Sequence, residues 1–167
     1  MGIMDLYIIR HAWAGQHGDP AWPDDSQRPL TEEGRERFAR MVKKLVERGL
    51  APNLIATSPM VRCAQTAEIL AAALGERPEV VPREELLPDG DAEALLAWTA
   101  KQARRHDKIA WVGHAPDVSR LAAVALGGRS DEIGFSKGAV AAIEFEDAPE
   151  PGGGELRWLV TAKLLGC

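Results

Sequence analysis

The sequence predicts an α/β protein of three layers, α/β/α. Its central sheet is mostly parallel, of about six strands, with one C-terminal strand antiparallel. Three observations lead there. Short apolar runs, such as Leu6–Ile9 and "KIAWVG" at 108–113, alternate with longer stretches of helical period. The runs are continuous rather than alternating, as expected of strands covered on both faces. The last quarter then changes character: "AVAAIEFE" and "ELRWLVTAKL" are joined by the turn-rich "DAPEPGGG", which reads as a hairpin.

The elements follow in order. Leu6–Ile9 is a buried strand. Thr31 is placed to cap a helix whose apolar face carries Leu30, Phe38, Met41, Val42, Leu45 and Val46, and Gly49 is placed to end it. Gly34 in its first turn is a mild cost. "LIATS" at 54–58 is a second strand. Pro59 opens a helix through Val61, Ala64, Ile69, Leu70 and Leu74, ending at Gly75. "EVVP" at 79–82 is a short strand, and Asp91 caps a helix carrying Leu95, Leu96 and Trp98. After 108–113, Pro116 opens a helix through Val118, Leu121, Val124 and Leu126, ended by Gly127-Gly128. The stretch from Ala14 to Arg28 is long and polar, and such a loop in a compact domain is usually functional or mobile. Nothing splits the chain, so one domain over 1–167 is expected.

The 167 residues are 46% hydrophobic and 27% charged, the proportions of a globular protein with its own core. The formal net charge is −5 with no compensating Lys/Arg cluster, which argues against nucleic acid as a partner. Cys63 and Cys167 are the only cysteines and lack metal spacing, which fits a reducing compartment or simple packing. No apolar run approaches eighteen residues and no leader is evident, so a cytoplasmic protein without membrane attachment is expected.

One local echo points to chemistry. "LYIIRHA" and "IAWVGHA" each run an apolar strand into a His-Ala pair, so His11 and His114 follow the carboxyl ends of two strands. In open α/β sheets that edge binds ligands. "LIATS" leads to Ser58 and then "PMVRCAQT", with Arg62 in the first turn of a helix. The same edge can therefore collect Arg10, His11, Arg62 and His114. Two guanidinium forks select an oxyanion, and a helix N-terminus adds partial positive charge. A neutral imidazole is a nucleophile toward phosphorus, and nearby cations disfavour its protonation. Phosphoryl transfer needs mainly alignment and charge stabilisation, which these groups supply without a metal. A metal site on His11, His17 and His114 is the competing reading; the guanidinium groups oppose it by repelling a cation.

The residues "RHA", "RPLTEEG", "SPMVRCAQTA", "LLPDGD" and "VGHAPDV" resemble the histidine phosphatase superfamily (phosphoglycerate mutase-like fold), most closely its short SixA-type phosphohistidine phosphatase branch. The resemblance implies that His11 is the nucleophile and that Arg10, Arg62 and His114 bind the phosphoryl group, with no cofactor and no metal. Two departures stand out. The family's Gly after the His is Ala12 here, tolerable at negative φ and expected to narrow the pocket. The acid carried by mutases and many phosphatases falls at Leu87 or Pro88, with Glu85, Asp89 and Asp91 nearby. The mutases' helical insertion is also missing.

A missing acid bears on the substrate. An alkoxide leaving group normally needs a proton in the transition state. The imidazole of a phosphoramidate is protonated by solvent on its distant nitrogen and leaves as a neutral ring. The expected activity is a metal-independent phosphatase working through a phosphohistidine intermediate on a phosphorylated protein, such as one with a histidine phosphotransfer domain. The alternatives are a small-molecule phosphomonoesterase, whose partner is a small phosphate ester, and a phosphate-binding regulatory module without turnover.

Lesser candidates have two readings each. Arg28 reaches the phosphate mouth or closes a loop through an ion pair with Asp24 or Asp25. Ser58 contacts substrate or only caps the helix at Pro59. His17 borders the pocket or is a solvated loop residue. Trp13 and Trp22 shape the entrance or cover the core edge. Cys63 packs in a helix or, with Arg62 beside it, is a reactive thiol.

Overall fold

The computed structural model describes residues 2–167. Six strands form one sheet: β1 (Met4–Arg10), β2 (Leu54–Thr57), β3 (Glu79–Pro82), β4 (Lys108–Gly113), β5 (Val140–Phe145) and β6 (Glu155–Val160). Four helices connect them: α1 (Glu32–Glu47), α2 (Val61–Ala72), α3 (Ala92–Gln102) and α4 (Asp117–Leu126). The strand order is β3-β2-β4-β1-β5-β6. β1 to β4 are mutually parallel, and β5 is antiparallel to both of its neighbours, β1 and β6.

The apolar runs are continuous because both faces of the sheet are covered. On one face Leu6, Ile8, Ile109, Trp111, Ala141 and Ile143 pack with the apolar sides of α3 and α4. On the other, Tyr7, Ile9, Ile55, Val112, Val140 and Ala142 pack with α1 and α2. Neighbouring strand residues thus feed opposite cores, as the two-residue strand period requires. Trp111 illustrates polar satisfaction inside: its indole N–H donates to Thr99 Oγ1 at 3.0 Å, and that hydroxyl donates to the Leu95 carbonyl at 2.9 Å.

The caps follow the sequence, with small shifts. Thr31 accepts from Gly34 N at 2.9 Å and Asp91 from Ala94 N at 2.9 Å. Gly49 and Gly127 both sit past helix ends at positive φ, where a side chain would be strained. The helices expected to open at Pro59 and Pro116 begin at Val61 and Asp117, because Met60 and Pro116 are the residues flanking the first turns. α2 ends at Ala72, short of Gly75. β6 ends at Val160 rather than continuing to 164; Thr161 turns the chain by accepting from Leu164 N through its hydroxyl. No helix among the described residues is long and apolar enough to cross a membrane.

The polar 14–28 loop is closed at its base. Ala14 bridges Leu30, Gly15 N donates to the Pro29 carbonyl at 3.1 Å, and Thr31 N donates to the Trp13 carbonyl at 3.0 Å. This closure gives Gly34 a purpose beyond its helix cost: a Cβ there would lie 2.2 Å from the Trp13 carbonyl oxygen. Gly34→Ala gains about 1 kcal/mol of helix propensity but forces backbone against backbone, an overpacking cost of roughly 1–3 kcal/mol. The expected outcome is net destabilisation, read as a lower denaturant midpoint at unchanged m. A variant as stable as the parent would show that the loop base gives way freely.

Candidate active site

The site rests on strand register. β1 and β4 are adjacent and parallel, and Arg10 is paired with Gly113. The next residue of each strand, His11 and His114, therefore leaves the sheet at the same level and on the same edge. Their rings meet edge to face with centroids 5.5 Å apart. His11 N donates to the Gly113 carbonyl at 2.9 Å, which ties the two strand ends together at this point. β2 ends beside them, and its continuation brings Ser58 and Arg62. One cavity of about 780 Å³ is lined by Arg10, His11, Arg28, Arg62 and His114 among others, at the carboxyl ends of the parallel strands.

His11 is buried, and its Nδ1 lies 2.7 Å from the Ala12 carbonyl oxygen. A carbonyl only accepts, so Nδ1 carries the proton and Nε2 keeps the lone pair. Burial pulls the His11 pKa down to about 3; the bond to Ala12 opposes this, and His114, Arg62 and Arg10 reinforce it. The ring is neutral at neutral pH with its unprotonated nitrogen free to attack. His114 is pulled down to about 4, again chiefly by burial and then by Arg62, with Asp117 opposing. Its Nε2 lies 2.9 Å from Ser58 Oγ. That oxygen also accepts from Met60 N at 3.3 Å, so one hydroxyl ties the His114 ring to the start of α2.

The guanidinium groups are fixed from behind. Arg10 Nη1 donates to the Phe135 carbonyl at 2.8 Å. Arg62 Nη1 donates to the Asp25 carbonyl at 2.8 Å, and its Nη2 lies 3.1 Å from Asp25 Oδ2. The Nε atoms of both arginines are buried without a hydrogen-bond partner, a costly state for donors. Cationic forks with unused donors on one cavity wall suit an oxyanion.

The lesser candidates separate. Ser58 is fully buried behind His114 and does not line the cavity; it holds the ring. Arg28 does both things proposed for it. Its Nε pairs with Asp25 at 2.8 Å, its Nη1 donates to the Gly15 carbonyl at 2.6 Å, and it still lines the cavity. His17 is exposed at the rim, with Nδ1 3.2 Å from Asp25 Oδ1. It does not converge with His11 and His114, and no group of three metal-ligating side chains occurs among the described residues. Cys63 is fully buried, its Sγ 3.4 Å from His114 Nε2, and burial pushes its thiol up to about 12, so it packs rather than reacts. The Ala12 methyl does not narrow the cavity. It is buried in the core beneath α1 and α2, while Ala12 N donates to Thr66 Oγ1 at 3.0 Å. Trp13 packs at the core edge with the Arg37 guanidinium 4.0 Å over its ring, and Trp22 is exposed.

The carboxylates are the main addition. Asp25 faces the cavity, and its bond to Arg28, with Arg62 and His17 assisting, holds its pKa down to about 2. It is a fixed anion that orients two arginines, not a proton donor. Its only sequence signal was a loop-closing partner for Arg28. Of the three carboxylates near the expected acid, Glu85 pairs with Arg83 and Asp91 caps α3, so only Asp89 lines the cavity. Asp89 sits at φ 61°, with its N–H donating 2.9 Å to Asp117 Oδ1. Lys137, from the turn before β5, completes the cationic wall.

Comparison with known proteins agrees. The model of the histidine phosphatase superfamily (branch 1) matches residues 6–125. An uncharacterized protein of Picosynechococcus sp. is 38% identical over 143 residues, covering 84% of each chain. The phosphohistidine phosphatase SixA of Escherichia coli K12 is 30% identical over 162 residues, covering 93% of this chain and 92% of that protein. A solved structure of the protein histidine phosphatase SixA complexed with tungstate superposes with a TM-score of 0.85 at 24% identity, covering 97% and 99% of the two chains.

The depressed histidines have a consequence for stability. Below pH 6.5 the unfolded chain protonates both imidazoles while the folded chain does not, so stability falls as pH drops toward 4. Above pH 7 the two states bind equal numbers of protons at these sites and nothing is lost. Between pH 6.5 and 4.5, His11→Gln should lose less stability per pH unit than the parent, measured by denaturant unfolding at each pH. Equal slopes would mean that the fold does not hold His11 neutral.

Proposed function

From the premise that this chain belongs to the histidine phosphatase superfamily and is a phosphatase, we propose that it removes the phosphoryl group from phosphohistidine on a protein, through a phosphorylated His11. The observation that carries this reading is the His11 ring: Nδ1 is committed to the Ala12 carbonyl, and Nε2 is left unprotonated in a cavity whose wall also carries Arg10 and Arg62.

In the first step His11 Nε2 attacks phosphorus and the P–N bond to the substrate imidazole breaks. The bonding pair goes to that imidazole, which has taken a proton on its other nitrogen and leaves as a neutral ring. Arg10, Arg62 and His114 carry the charge on the equatorial oxygens. In the second step water attacks the phosphorus of phospho-His11, the second P–N bond breaks, and inorganic phosphate departs with neutral His11 restored. The proton lost by water passes to solvent.

Three features favour the phosphoramidate over an alkyl ester. Asp25 is held ionised and cannot protonate an alkoxide. Glu85 and Asp91 are committed elsewhere. The similarity to a protein named phosphohistidine phosphatase extends over nearly the whole chain. Two unpaired cysteines, one of them fully buried, fit a cytoplasmic setting.

Brief incubation with a labelled phosphoryl donor should place acid-labile phosphate on His11, and His11→Ala should lose both label and turnover. Across a leaving-group series, phosphohistidine and p-nitrophenyl phosphate should exceed a sugar phosphate in kcat/KM by about 10²-fold or more, the scale of general acid catalysis. Asp89→Asn should change the phosphohistidine rate by less than about threefold. A flat series with a large loss in Asp89→Asn would make Asp89 a general acid and the enzyme a small-ester phosphatase.

A further inference from the structure

A second cavity, of about 480 Å³, adjoins the first and shares Arg10 and Lys137 with it. Its remaining charged lining is Arg37 from α1 and Lys163 from the turn after β6. Four cations thus face one space with no acidic side chain on its wall, on a chain whose net charge is −5. No Asp or Glu side chain among the described residues forms an ion pair with any of the four. By contrast, Arg28 and Arg62 on the first cavity are both neutralised by Asp25.

The space is built rather than incidental. The Arg37 guanidinium is stacked 4.0 Å over the Trp13 ring, and its Nη2 donates at 3.0 Å to the backbone oxygen of Cys167, the last residue of the sequence. Those two contacts hold the fork and leave its other donors uncommitted. Trp13 is itself fixed, because its carbonyl accepts from Thr31 N and its ring lies against Gly138, where a Cβ would approach it to 3.3 Å. Arg10 links the spaces: Nη1 is spent on Phe135, and Nε has no partner.

We propose that this second cavity is an anion subsite that takes a carboxylate of the phosphorylated protein, on an acidic residue close to the phosphohistidine, while the phosphoryl group occupies the first cavity. A phosphomonoester or a lone phosphohistidine has its one dianionic group already engaged by His11, Arg10 and Arg62. The second cavity is therefore served by a second oxyanion on the same ligand. Charge-assisted hydrogen bonds from Arg37 and Lys163 would select substrates by sequence around the modified residue. The choice of a protein-borne carboxylate rests on the proposed function; the preference for a second oxyanion rests on the cavity alone.

The test uses two phosphohistidine peptides, one with aspartates flanking the modified residue and one with asparagines, and p-nitrophenyl phosphate as the one-anion control. At low salt the parent enzyme should prefer the aspartate peptide by about tenfold in kcat/KM. Lys163→Glu and Arg37→Gln should each abolish that preference while p-nitrophenyl phosphate turnover stays within twofold, and rising ionic strength should shrink it. Equal kcat/KM for the two peptides in the parent, or a preference that survives both substitutions, overturns the subsite. A dependence on Lys163 seen with an alkyl bisphosphate and not with the peptides overturns the protein source. Should the enzyme hydrolyse p-nitrophenyl phosphate but neither peptide, the phosphohistidine reading fails on its own. The aspartate peptide is then tested as an inhibitor of p-nitrophenyl phosphate hydrolysis: inhibition lost in Lys163→Glu upholds the subsite, and no inhibition in the parent overturns it.

Discussion

Everything at this site depends on the parallel pairing of β1 with β4 in the register that sets Arg10 against Gly113. A slip of one residue would send every side chain of β1 to the opposite face, exchanging Leu6 and Ile8 for Tyr7 and Ile9 in the two cores. It would also separate the two histidines by a residue along the sheet edge. The hydrophobic effect, acting on residues remote from any chemistry, thereby fixes the spacing of two imidazoles. β5 reinforces the arrangement by pairing with the other side of β1, so the strand that leads into His11 is held from both sides.

Burial at that edge has an electrostatic cost, and the site distributes it. Two imidazoles respond by staying neutral, which is what a nucleophile at phosphorus requires. Guanidinium groups cannot respond that way. One of them, Arg62, borrows charge from Asp25, which the closed 14–28 loop delivers across the cavity mouth. The loop's length has a physical reason in this: it carries one carboxylate from the end of β1 to the start of α2.

The fold was legible in the sequence because its signals are local. Capping by Thr31 and Asp91, the positive-φ glycines at 49 and 127, and apolar runs of strand length need no knowledge of distant partners. Arg10, His11, Arg62 and His114 were legible for a related reason. Arg10, His11 and His114 close or directly follow an apolar run, Arg62 lies in the first turn of the helix after another, and strand ends in an open α/β sheet converge. Asp25 carried no such mark, since an aspartate in a polar loop looks like any other until the loop is closed. The sequence leaves Ser58 either a substrate contact or a helix cap, because its place behind His114 depends on the direction in which β2 leaves the sheet. The position of Ala12 is hidden in the same way. Facing a core instead of a cavity is decided by pleat alternation past the last paired residue, which sequence spacing does not reveal.

The contact between His11 Nδ1 and the carbonyl of its own neighbour fixes more than protonation. Imidazole has two nitrogens, and chemical phosphorylation in solution yields a mixture of two positional isomers of differing lability. Here the backbone masks one nitrogen before any substrate arrives. The proposed intermediate is therefore a single regioisomer, the tele form, and its lifetime is set by that choice as well as by the surrounding charges. A peptide carbonyl one residue away acts as a protecting group, and it does so with an atom that no side-chain substitution can remove.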